Sequence, residues 1–143
     1  MPATNAVSTG EKTKGRKRHI ATDTLGCILD VTVHKANAHD TKMGWWIAWL
    51  ALFTYPTIER FCADRGYRGT FIHDVNTILQ RGVDISEKIK PEGWHIEPKR
   101  WVVERTFAWL NNSRRLSKDY EILTSSSESM IKISHIHTLL KRM

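Results

Sequence analysis

Along the chain, hydrophobic and polar positions change period several times, and the changes set out the expected elements. "RKRHIAT" (16–22) and "CILDVTVHK" (27–35) are β-prone, the second alternating Ile28, Asp30, Thr32, His34 against Cys27, Leu29, Val31, Val33. Asp23 and Gly26 between them supply a tight turn, so a β-hairpin is predicted. "NAHD" offers helix-capping residues before an apolar run that reaches Phe53 and stops at Pro56. "IERFCAD" (58–64) predicts a short buried strand that delivers Asp64 at its tip, because the glycines of "RGYRGT" end it at once. A helix over 71–80, a strand over 83–90, a helix after Pro98 and a last helix behind Ser125, Ser126 and Ser127 complete the order ββαβαβαα. In that last helix Met130, Ile133, Ile136, His137 and Leu140 recur at helical spacing as the expected apolar face. Such alternation belongs to an α/β fold. Residues 1–14 are small and polar without periodicity and predict an irregular lead-in.

Length and charge narrow the function. The 143 residues fit one core, and 22 Lys and Arg against 15 Asp and Glu give +7, which favours a polyanionic partner, nucleic acid first and a membrane surface second. The longest apolar run, "MGWWIAWLALF" (43–53), is far short of the roughly 20 residues that span a bilayer, so no membrane partner and a cytoplasmic location are expected. Trp45, Trp46 and Trp49, with Leu50 and Phe53 at helical spacing, are expected in the core rather than as a base-stacking platform. Cys27 and Cys62 lack metal-ligand spacing and are expected as reduced thiols. The stretch "EKTKGRKRH" reads either as a phosphate-binding arm (Lys14, Arg16, Lys17, Arg18) or as an edge strand protected by charge. His19 would border the site. Arg65, Arg105, Arg114 and Arg115 extend the same basic surface.

A strand-tip carboxylate and a second on a later helix can share a divalent metal, since Mg²⁺ takes hard oxygen donors. On a helical wheel Arg100, Glu104, Asn111 and Arg115 fall in one polar stripe, with Val103 and Leu110 to one side and Val102, Trp109 and Leu116 mostly opposite. The plain alternative is an ordinary Arg100–Glu104 surface ion pair.

"GRKRHIATDTLG", "ADRGYRG" and above all "RWVVERTFAWLNNSRRLSKDYE" closely resemble the C-terminal part of the IS5 group of insertion-sequence transposases, within the IS4-type DDE class. The resemblance runs from about Gly15 to Met143. It implies an RNase H-like α/β domain, a mixed sheet flanked by helices, with an Asp-Asp-Glu triad binding Mg²⁺ or Mn²⁺. Asp64 matches the second acid and Glu104 the third. Arg100 and Glu104 keep the spacing of the family's Y-R-E-K signature, while Glu97 and Asn111 stand where its Tyr and Lys would be. The first Asp has no match: nothing before Gly15 is Asp, and Asp23 and Asp30 match non-catalytic positions.

The expectation is therefore a partial domain over 15–143 lacking its first, central strand, with unpaired strand edges facing the gap. Another chain, a different sheet closure or residues 3–8 would have to fill it. DNA, as element ends and target, and a homo-oligomer or a complementing N-terminal transposase segment are the implied partners, at the bacterial nucleoid. Two functions follow: metal-dependent DNA strand cleavage and transfer, or a non-catalytic DNA-binding or oligomerisation fragment, as a frameshift product or decayed element would be.

Overall fold

A computed structural model describes residues 4–8 (backbone only), 15–86 and 101–143 of the chain. Its strands are β1 (Thr4–Ser8), β2 (Arg16–Thr22), β3 (Ile28–Lys35), β4 (Arg60–Ala63) and β5 (Gly82–Ile85). Its helices are α1 (Asp40–Thr54), α2 (Thr70–Thr77), α3 (Trp101–Asn111) and α4 (Thr124–Leu140). The strands form one mixed sheet in the order β3-β2-β1-β4-β5.

The predicted hairpin is present and its turn closes through Asp23. The Asp23 Oδ1 accepts the backbone N–H groups of Leu25 (2.9 Å) and Cys27 (2.8 Å), and Gly26 takes a positive φ of 89° that a side chain would strain.

The lead-in is where the fold departs from expectation. Thr4–Ser8 is a strand, and it fills the central gap, the third of the three ways expected of closing it. It pairs antiparallel with β2 (Asn5 with Thr22, Ser8 with His19) and parallel with β4 (Thr4 with Phe61, Ala6 with Ala63). The physical reason is backbone satisfaction: β2 and β4 would otherwise expose facing rows of N–H and C=O groups, and even a short polar segment lowers that cost. Helix α2 ends at Thr77, short of the expected Gln80, which takes a positive φ of 52°. Strand β5 is described to Ile85; the rest of the strand expected over 83–90 lies outside the described residues.

Alternate side chains of the sheet feed two cores. On one face Ala21, Phe61 and Ala63 pack with Ile47, Ala48 and Ala51 of α1, with Phe71 and Val75 of α2, and with Tyr67. On the other, Ile20, Val31 and Val33 pack with Val103 and Leu110 of α3, Leu116, and Ile131 of α4. The result is a three-layer sandwich.

Two helices turn faces other than those expected. On α1, Trp45 and Trp49 pack half-buried against the core as expected, but Trp46 is 44 % and Phe53 75 % exposed, their rings stacked on that of Trp49 with centroids 5.3 and 5.6 Å away. The fully buried side holds Gly44, Ile47, Ala48 and Ala51, and Gly44 is small because the Tyr67 ring of the turn after β4 packs where its Cβ would stand. On α4 the buried residues are Ser127, Ile131, Ser134 and His135, while Ile133, Ile136 and Leu140 are exposed. This helix runs beside the edge strand β3, whose free N–H groups need acceptors. Glu128 Oε1 accepts from Val33 N–H (2.8 Å) and His135 Nε2 from Ile28 N–H (3.1 Å). Val31 N–H is met within its own strand, by Asp30 Oδ1 at 2.7 Å.

Candidate active site

Asp64 leaves the C-terminal end of β4 as that strand gives way to a single 3₁₀ turn. Its Oδ1 accepts Gly66 N–H at 2.9 Å, and Tyr67 N–H returns to its carbonyl at 3.2 Å. The glycine lets the chain turn at once and leaves the carboxylate half-buried at the sheet's edge. By the parallel register of Ala6 with Ala63, the residue of β1 level with Asp64 is Val7. All five residues of β1, TNAVS, lack a carboxylate.

Tyr67, three residues beyond Asp64, fastens this turn to the interior. It is 1 % exposed and its hydroxyl meets His19 Nδ1 at 2.9 Å. His19 is fully buried on β2, 4.7 Å from the His34 ring, with Asp40 Oδ1 at 3.9 Å from its Nε2. The Nε2 atoms of both histidines are buried without a hydrogen-bond partner among the described residues. Burial pulls the His19 imidazole down from 6.5 to about 4, with the neighbouring His34 adding to the effect, so His19 is neutral at pH 7. Burial also pushes the Tyr67 phenol upward, reinforced by Asp64 and Asp40, and keeps it protonated as a hydrogen-bond donor. The sequence offered Tyr67 only as part of "ADRGYRG"; its pairing with His19 joins residues 48 positions apart.

Glu104 sits in the first turn of α3 and is exposed. The helix buries Val102, Val103, Thr106 and Leu110, so Glu104 and Asn111 lie on its outer stripe, as the wheel predicted. Packed against β1 and β2, α3 is anchored at the β2–β3 turn. Thr106 Oγ1 donates to Gly26 O (3.0 Å) and Arg105 Nη2 to Leu25 O (2.7 Å). Arg100, Glu97 and Lys14 lie outside the described residues.

Several of the basic residues read as a DNA surface are engaged inside the fold. Arg16 ion-pairs with Asp119 (3.1 Å) and donates to the carbonyls of Glu121 (2.8 Å) and Ile122, tying the loop before α4 to β2. Arg18 donates to Leu116 O (3.4 Å), Lys17 pairs with Asp40 (2.8 Å), and Arg115 pairs with Glu121 (2.9 Å). Arg105 is stacked between the rings of Trp101 (4.1 Å) and Trp109 (4.6 Å). Arg65 and Arg114 are exposed.

Asp64 and Glu104 are hard oxygen donors of the kind Mg²⁺ or Mn²⁺ takes. Among the described residues, however, no group of three His, Cys, Asp or Glu side chains is placed to hold a metal ion.

A five-stranded mixed sheet with its first three strands antiparallel, a carboxylate at the tip of the fourth and helices on both faces is an RNase H-like arrangement. The chain superposes on the catalytic core domain of BIV integrase with a TM-score of 0.60, covering 94% of this chain and 80% of that one at 14% identity. It belongs to the transposase DDE domain family, whose model matches residues 3–139. A relative from Burkholderia cepacia, described as "Putative transposase for insertion sequence element IS402", is 28% identical over 137 residues. That match takes in 84% of this chain and 60% of the relative, so the chain spans under two thirds of the relative's length. No helix among the described residues is long and apolar enough to cross a membrane.

Proposed function

We propose that this chain is the C-terminal part of the catalytic domain of an IS5-group transposase, acting on DNA at element ends and at the target. The observation that carries the reading is Asp64, fixed at the tip of β4 in an RNase H-like sheet by its own turn and by the buried Tyr67–His19 contact. In this reading Asp64 and Glu104 are two of the three acids of a DDE site that uses Mg²⁺ or Mn²⁺ for strand cleavage and transfer. The third acid comes from outside the described residues, from a complementing transposase segment or a second copy. The expected location is the bacterial cytoplasm, at the nucleoid.

A second reading, a non-catalytic DNA-binding or oligomerisation fragment, is favoured by two observations. The central strand carries no carboxylate, and the apolar side chains Trp46 and Phe53 of α1 and Ile133, Ile136 and Leu140 of α4 are exposed in the way an oligomer contact requires. One assay separates the two readings. The purified chain is incubated with labelled duplex carrying candidate ends and Mg²⁺ or Mn²⁺, beside Asp64→Ala and Glu104→Ala. Cleavage that disappears in both variants supports the catalytic reading; duplex binding with no cleavage by the parent chain, either alone or mixed with an N-terminal transposase segment that carries an Asp, supports the second.

A further inference from the structure

The last turns of α3 and α4 meet around a cleft of about 540 Å³, lined by Arg114, His137, Lys141 and Arg142 together with the polar side chains of Asn112, Ser113, Ser134 and Thr138. That volume lies within the range of about 300–1,000 Å³ typical of ligand sites. No acidic residue lines it, and among the described residues Arg114, Lys141 and Arg142 have no carboxylate partner. This sets them apart from Arg16, Lys17 and Arg115, whose charges are already met within the fold.

The cleft is also pre-shaped. The Arg142 guanidinium lies 3.8 Å over the Trp109 ring, and Arg105 lies 4.6 Å from the same ring, so the indole holds one arginine while being held by another. The Ser113 and Ser134 hydroxyls meet at 3.1 Å and tie the two helices together beside it. Three cations converging with amide and hydroxyl donors, in a cleft without acids, suit a ligand with several anionic oxygens one repeat apart.

We propose that this cleft between α3 and α4 grips the phosphodiester backbone of duplex DNA. The proposal deepens the transposase reading, since it says where such a protein holds its substrate. It depends on no metal and on neither candidate acid. The arginines orient the phosphates, and the Asn112 amide supplies a neutral donor, so the contact fixes position without reading sequence.

The test measures anisotropy of a fluorescein-labelled 20-base-pair duplex, in EDTA, across a salt series. Three chains are compared: the parent, the cleft triple Arg114→Ala/Lys141→Ala/Arg142→Ala, and a charge-matched control Lys35→Ala/Lys42→Ala/Lys118→Ala at exposed positions elsewhere. The cleft triple is expected to weaken binding at least tenfold more than the control, and to lower the slope of log K against log salt by about 3 at roughly 0.9 per phosphate. Lys141→Gln alone, at an exposed site, is expected to lower the slope by about 1. Equal losses in the two triples, or no duplex binding by the parent chain, overturn the proposal. So does binding by the parent chain to phosphatidylserine vesicles in preference to duplex. Because EDTA removes divalent ions, a failed cleavage assay alongside a lost salt slope would sink the catalytic reading and leave the cleft assignment standing.

Discussion

The two candidate acids are seated by different physics. Asp64 is placed by its own neighbours: a glycine two residues on bonds its carboxylate, and Tyr67 drops into the core beside Gly44 and against His19. Glu104 is placed at a distance. Its outward direction follows from burial of Val102, Val103, Thr106 and Leu110, while the site of the helix on the sheet is set at Leu25 and Gly26, some eighty residues earlier. The lesson is that one wall of the proposed site is shaped by a local turn that Tyr67 pins to the core, whereas the other depends on how far the hairpin turn reaches.

The largest expected break of this contrast is Tyr67→Ala. Emptying a fully buried ring from the Asp64 wall should cost about 3–5 kcal/mol in urea unfolding, enough to loosen the whole α1 face. Next comes the pH response of His19. Its folded value near 4 lies below the ordinary 6.5, so the unfolded chain binds the proton more readily between those values. The stabilisation it gives is fully present above about pH 6.5, and is lost as pH falls through about 4, for a total on the order of 3 kcal/mol. Unfolding curves from pH 7.5 to 4 should show that loss, and a folded His19→Gln variant should show a correspondingly shallower one.

Smaller effects should separate the second wall from the first. Thr106→Val removes the hydroxyl that reaches Gly26 O and should cost about 1–2 kcal/mol, with faster amide exchange at the β2–β3 turn and little change at residues 64–67. Asp64→Ala should be the mildest, at about 1 kcal/mol or less, because it removes one exposed hydrogen bond from a half-buried residue. If Asp64→Ala proved as damaging as Tyr67→Ala, the carboxylate would be a structural support, and the assignment of Asp64 to chemistry would fall.

Much of this was legible in the residues. The hairpin with its Asp23 and Gly26 turn, the strand tip at Asp64 and the polar stripe through Glu104 all rest on short-range rules of period, capping and glycine geometry. Those rules act within a few residues, so a single sequence carries them in full. What only the tertiary structure decided lay beyond that range. Thr4–Ser8 became the central strand because β2 and β4 leave a gap lined with unpaired backbone groups, not because TNAVS is a strong strand former. The face of α4 was chosen by the edge of β3, which needed Glu128 and His135 as acceptors more than Ile133 and Ile136 needed burial. Likewise, Arg16, Arg18 and Lys17 looked like free charges until the fold supplied their partners. A basic residue's sign is written in the sequence, but whether its charge is already met depends on which carboxylates and carbonyls the folded chain brings within 3 to 4 Å of it.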